Sequence, residues 1–200
     1  MLSRRWRYLP NWRFINTLGY ELKDKQTCSD LFLCNCTLRL PTNNFDKLKG
    51  LVTLRLYDVT TEEAFMASLL STCTLLESLT LEGCKVISNL IITAPLSLRL
   101  NNLKVFNGSI KKIEIYAPNL ITFEYSGHIL RIASITAPRL LNVYFNTLQI
   151  NTLPHALLQF ASHPHLQILS LVMYPHLVSA CAYNLLLFFT KILFLSLKFA

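Results

Sequence analysis

Two hundred residues, 52% of them hydrophobic and 15% charged, suit one compact domain or one short solenoid and are more apolar than a soluble surface needs. The formal charge of +8 comes from Lys and Arg scattered along the chain, which excludes a long basic block for an anionic partner. The five glycines stand singly, at Gly19, Gly50, Gly83, Gly108 and Gly127, so a glycine-rich phosphate loop is excluded as well.

In chain order, residues 1–20 read as a short helix followed by a turn at Pro10 and Asn11. Arg4, Arg5, Arg7 and Arg13 are interleaved there with Trp6, Tyr8, Trp12 and Phe14. That composition suits a nucleic-acid reader, with arginine on phosphate and rings on bases, or a basic amphipathic helix packed on the rest of the protein. The second reading is adopted. Residues 21–47 are polar at first, then carry a strand over 37–40 that ends at Pro41.

Beyond Pro41 the pattern L-x-x-L-x-L, or an apolar variant of it, recurs six times. The units are Leu51-x-x-Leu54-x-Leu56, Leu76-x-x-Leu79-x-Leu81, Leu100-x-x-Leu103-x-Val105, Leu120-x-x-Phe123-x-Tyr125, Leu140-x-x-Val143-x-Phe145 and Leu166-x-x-Leu169-x-Leu171. The fourth residues, at 54, 79, 103, 123, 143 and 169, are separated by 25, 24, 20, 20 and 26, the range of leucine-rich repeats. A unit of this size cannot bury its own apolar face, so the units must stack, each strand pairing with the next in one curved parallel sheet. The predicted fold class is therefore α/β, a leucine-rich-repeat solenoid.

The outer side of the stack changes along the chain. Thr60, Thr61, Glu62 and Glu63 form a capping-box pattern, and Phe65, Leu69, Leu70 and Cys73 follow at helical spacing, which predicts a capped helix between the first two repeat strands. A second helix is expected from Pro154 through Leu157, Leu158 and Ala161. Between them, Ala-Pro recurs in the tetrapeptides at 92–95, 115–118 and 135–138, each after a nearly alternating run such as Ile110-x-x-Ile113-x-Ile115. These runs predict short outer strands, stopped by a proline that lacks a donor. Helices are thus expected near the ends and extended segments in the middle.

Within each repeat strand the residue between the last two apolar positions points away from the core. This gives a solvent ladder on the concave face, Arg55, Thr80, Lys104, Glu124, Tyr144 and Ser170, with rungs about 4.8 Å apart. Tyr57, Glu82, Phe106, Asn142 and Asn146 flank it. A mixed ladder with aromatics suits a protein target better than a phosphate backbone.

Six cysteines follow no apolar leader and match no zinc spacing, so all are read as reduced, with Cys73 and Cys84 as small buried hydrophobes. A cytoplasmic or nuclear location is the corresponding expectation. His155, His163, His165 and His176 have no acidic companions and are read as loop histidines. No cofactor, metal or catalytic residue is expected. The apolar stretch 177–197 carries one charge, Lys191, and is long enough to cross a bilayer; a buried terminal repeat or a non-native tail is the preferred reading.

The segment Leu2-Ser-Arg-Arg-Trp-Arg-Tyr-Leu9 resembles the closing part of the F-box motif of plant F-box proteins with leucine-rich repeats. The stretches 48–59 and 73–84 and the recurrent Ala-Pro-x-Leu are also similar to that family. The resemblance implies the substrate receptor of an SCF-type ubiquitin ligase, its repeats holding a target and its F-box gripping the adaptor subunit. Leu2, Trp6 and Leu9 are the positions that carry over. Because Met1 falls inside the motif, adaptor binding is expected to be weak or absent, with Trp6 capping the first repeat instead. The expected organisation is an F-box-like remnant over 1–20, a solenoid over 21–175 and a hydrophobic tail over 176–200.

Overall fold

Each repeat alternates apolar and polar residues across its second half, the period of a half-buried strand. The computed structural model describes residues 29–38, 48–85, 88–107, 110–127, 131–147, 152–173 and 194–199. In chain order the elements are β1 (Asp30–Cys34), β2 (Thr37–Leu38), β3 (Thr53–Tyr57), β4 (Thr60–Thr61), α1 (Glu63–Thr72), β5 (Ser78–Glu82), β6 (Asn89–Thr93) and β7 (Asn102–Phe106). There follow β8 (Lys112–Tyr116), β9 (Thr122–Gly127), β10 (Arg131–Thr136), β11 (Asn142–Thr147), α2 (Thr152–Ala161), β12 (Ile168–Met173) and β13 (Phe194–Phe199).

Eight strands form one parallel sheet in the order β1-β3-β5-β7-β9-β11-β12-β13. The outer layer holds α1, then the parallel sheet β10-β8-β6, then α2, with β2 and β4 paired beside the first turns. Helices at the two ends and extended segments between them agree with the sequence reading. Between the layers lies a single apolar core: Leu54, Leu79, Leu103, Phe123, Val143 and Leu169 from the long sheet meet Leu69, Leu90, Ile113, Ile132 and Leu157 from the outer side. Phe160 of α2 reaches between two strands, its ring centroid 5.4 Å from that of Phe145 and 6.4 Å from that of Phe123.

The leading leucine of each unit lies in the turn that enters the strand. The N–H groups of Leu51, Leu76, Leu120, Leu140 and Leu166 donate to the carbonyl three residues back, at 2.9 to 3.4 Å. In the third unit that turn closes two residues earlier, from Leu98 N–H to Pro95 C=O at 2.9 Å, which leaves Leu100 as the buried leader and accounts for its displacement after the proline. Ala94 and Ala117 each donate to the neighbouring outer strand, and the proline that follows ends the ladder because it has no N–H.

A second repeating feature stands at the exits. Asn35, Asp58, Gly83 and Asn107 all have positive φ, between 48° and 63°. Each donates its N–H to the next strand, to Tyr57, Glu82, Phe106 and Ser126 carbonyls at 2.8 to 2.9 Å. Asn, Asp and Gly are the residues that tolerate this left-handed corner. At Gly83 a Cβ would also press on the Asp58 carboxylate.

Several expectations are corrected. Thr60 and Thr61 do not cap α1: they belong to β4, and the N-cap is Glu62, which makes no side-chain cap bond. The buried Thr61 hydroxyl has no partner among the described residues. Glu63 instead accepts a hydrogen bond from the Asn89 N–H at 2.9 Å, because the outer sheet brings that edge donor to it. Residues 29–38 hold a full repeat strand, β1, ahead of the first unit read from the sequence, and the described part of the strand expected over 37–40 is the pair Thr37–Leu38. His163 lies in the loop after α2, as read, yet is only 7% exposed, its Nδ1 3.0 Å from the Gln159 carbonyl at the end of that helix. The last residues of the apolar tail form β13, in register with β12, which shortens the stretch that remains for a membrane helix. Among the described residues no helix is long and apolar enough to cross a membrane. Leu2, Trp6 and Leu9, Cys28, Cys181 and most of the tail lie outside the described residues.

Burial holds the His163 pKa below its ordinary 6.5, against the pull of backbone hydrogen bonds at Gln159, Phe160 and Ile135. The unfolded chain therefore takes up this proton first, so the contribution of His163 is complete above pH 6.5 and declines as the pH falls from there toward the folded value. A melting-temperature series should drop between pH 7 and pH 5, and His163→Gln should flatten the drop. Leu79→Ala, which empties a fully buried site, should cost about 2 to 5 kcal/mol in denaturant unfolding. Gly83→Ala should cost about 1 to 2 kcal/mol through the left-handed corner alone.

Candidate protein-binding face

The outward positions of the long sheet fall into three columns because every pairing is parallel and in step. The central column runs Phe32, Arg55, Thr80, Lys104, Glu124, Tyr144, Ser170 and Ser196, each the register partner of the next. The six ladder residues read from the sequence are therefore adjacent rungs, and the structure adds one at each end. Phe32 was missed because its strand precedes the first full motif, and Ser196 because it lies within a continuous apolar run.

The rungs differ in what they offer. Arg55 and Tyr144 are exposed, and Phe32 is 38% exposed. Thr80 is a correction to the ladder: at 6% exposure this short side chain, flanked in register by Arg55 and Lys104, presents almost nothing to a partner. Lys104 and Glu124 form a cross-strand ion pair, Nζ to Oε2 2.9 Å, so the middle of the column is internally neutralised. Arg55 has no ion-pair partner among the described residues. The rings of Phe32 and Tyr57 meet beside it with centroids 5.0 Å apart.

Of the flanking residues named from sequence, Tyr57, Glu82, Phe106 and Asn146 share one column, completed by Ser126. Asn142 belongs to the opposite column, with Thr53, Ser78, Asn102 and Thr122. Both columns carry polar cross-strand links: Asn142 Nδ2 donates to Thr122 Oγ1 at 3.3 Å, and Asn146 Nδ2 to Ser126 Oγ at 3.2 Å. The face is thus a polar lattice with an aromatic and cationic corner at Phe32, Arg55 and Tyr57. Among the described residues no track of cations runs along it.

The remaining chemistry is structural. Burial pushes the Cys73 and Cys84 thiols up to about 11, far from the thiolate form that reacts. Burial likewise raises the Tyr125 hydroxyl to about 12. Among the described residues no group of three or more His, Cys, Asp or Glu is placed to hold a metal ion.

A family model described as the LRR domain of At1g61320/AtMIF1 matches residues 14–198. The chain belongs to this leucine-rich-repeat family. The match, to a plant leucine-rich-repeat protein, spans every described strand up to Lys198 and supports a protein-interaction module of a generally non-enzymatic kind. No curated protein and no solved structure matches the chain.

The Lys104–Glu124 pair of this leucine-rich-repeat face is partly solvent-exposed, where ion pairs contribute little. A double-mutant cycle with Lys104→Ala and Glu124→Ala should give a coupling of no more than about 1 kcal/mol, shrinking as salt is raised.

Proposed function

We propose that the open face of the long sheet binds a protein target, with its strongest contacts at Arg55 and Tyr144, on either side of the Lys104–Glu124 pair. The observation that carries this reading is the pairing of an exposed Arg55, without an ion-pair partner among the described residues, with the aromatic couple Phe32 and Tyr57, and the exposed Tyr144 four rungs away. Arginine and tyrosine are the residue types in which interface energy concentrates, since each gives a large rigid contact with a polar tip. The neutralised Lys104–Glu124 pair between them adds fit and little affinity.

The finer reading is that the repeats present this target to an SCF-type ubiquitin ligase. It rests on the F-box-like segment carrying Leu2, Trp6 and Leu9, and the catalysis would lie on other subunits. Affinity purification from plant cells followed by mass spectrometry separates the levels of the claim. Recovery of the adaptor and a cullin together with a target supports the ligase reading; a target without either leaves a repeat scaffold.

The same experiment with Arg55→Glu/Tyr144→Ala tests the face itself. The variant should keep the wild-type circular dichroism spectrum and melting temperature and recover at least tenfold less of the target. Equal recovery from both proteins would move the binding site off this face.

A further inference from the structure

In a parallel ladder successive residues turn their backbone groups to opposite neighbours. Lys112 N–H donates to the Ser88 carbonyl at 3.2 Å, and Ala94 N–H donates to the Tyr116 carbonyl at 2.8 Å. The even-numbered residues of β6 therefore bond β8. The odd ones, Asn89, Ile91 and Thr93, turn their N–H and C=O groups to the other edge, where no further strand of the small sheet stands among the described residues.

One of these edge groups is already used, since Asn89 N–H donates to Glu63 Oε1 at 2.9 Å. The N–H groups of Ile91 and Thr93 have no partner among the described residues. They open on a cleft of about 410 Å³ between β6 and α1, within the range of about 300 to 1,000 Å³ typical of ligand sites. Its far wall is Ala64, Ala67 and Leu70, on one helical face. The two alanines are the smallest side chains a helix can present short of glycine, and Ile91 on the opposite wall is 48% exposed. Glu63 is the one charged residue lining the cleft among those described, and Glu62 is exposed beside it.

We propose that this cleft is a strand-addition site for an extended segment of a partner protein, with aliphatic side chains at alternate positions and a Lys or Arg at the end that meets Glu62 and Glu63. Free donors and acceptors spaced along a strand edge match an extended main chain, which supplies the bonds that the edge lacks. The apolar helix wall receives every second side chain, and the two carboxylates fix the polarity of the segment by charge. The site lies on the outer layer, so it is separate from the face proposed above and does not depend on it.

The test is selection of a random dodecapeptide phage library on the whole purified chain, followed by titration of a synthetic peptide from the enriched pool. Ile91→Pro removes an edge N–H and leaves the β6–β8 ladder intact, because proline is tolerated where the donor faces away from the sheet. Ala67→Trp fills the cleft without touching the edge. The expected result is a pool with alternating aliphatic residues and a basic end, whose peptide binds at least tenfold more weakly to either variant while circular dichroism is unchanged. N-methylation of the peptide at alternate residues should produce the same loss. An unenriched library, or a selected peptide that binds wild type and both variants alike, would overturn the proposal. So would peptide-free self-association that Ile91→Pro abolishes, since that would give the edge to a second copy of the chain.

Discussion

The in-step parallel pairing of the long sheet is the constraint on which the rest of the molecule depends. No repeat satisfies its own strand backbone; each takes its partners from the units before and after it. The pairing also fixes the chemistry of both faces. A slip of one residue in any strand would turn its buried apolar pair to solvent and its polar rung into the core, so the hydrophobic pattern holds the register firmly. The left-handed corners at Asn35, Asp58, Gly83 and Asn107 extend the same bonding by one amide per unit and set the direction in which the chain leaves the sheet. Outward columns of defined composition follow from this, and with them the candidate face.

The outer layer obeys the same accounting with different means. A three-stranded sheet has two exposed edges, each a hazard for pairing with another chain. Here each edge strand has a helix as its neighbour, α1 at β6 and α2 at β10. The closures are unequal. Beside β10, the ring of His163 is buried at the end of α2, its Nδ1 3.0 Å from the Gln159 carbonyl. Beside β6, Glu63 serves one amide and the alanines of α1 stand back from the others.

Much of this was legible in the sequence. The six motifs located six strands because the apolar period of two is kept through Val105, Tyr125 and Phe145, where leucine is replaced by other hydrophobes. The Ala-Pro tetrapeptides located the outer strands because proline ends a ladder. Two repeat strands went unread for opposite reasons. Before β1 the leading position of Cys28-x-x-Leu31-x-Leu33 is a cysteine and only a short apolar alternation remains, whereas Ile192-x-x-Leu195-x-Leu197 is a full motif hidden in a run where nearly every residue is apolar. The capping-box reading failed because Thr60 and Thr61 had a second option, backbone pairing with Thr37 and Leu38, that no local pattern reveals. At the candidate face, sequence placed the rungs correctly side by side. It gave no warning that Thr80 would be covered or that Lys104 and Glu124 would neutralise each other, since both depend on which strands become neighbours.

The alternation of helix and strand on the outer side has a geometric consequence for whatever docks on the inner one. Neighbouring strands of the long sheet are about 4.8 Å apart, and an outer strand takes the same width, whereas a packed helix takes about 10 Å. Where the outer element is a strand, both sides of the coil advance equally and the wall stays straight. Where it is a helix, the outside advances faster and the wall must bend. Element widths alone therefore favour a flatter wall around β7, β9 and β11, and bending beside α1 and α2. Phe32, Arg55 and Tyr57 stand on β1 and β3, at the α1 end of the sheet, where the width of the helix calls for a bend that the middle strands do not need.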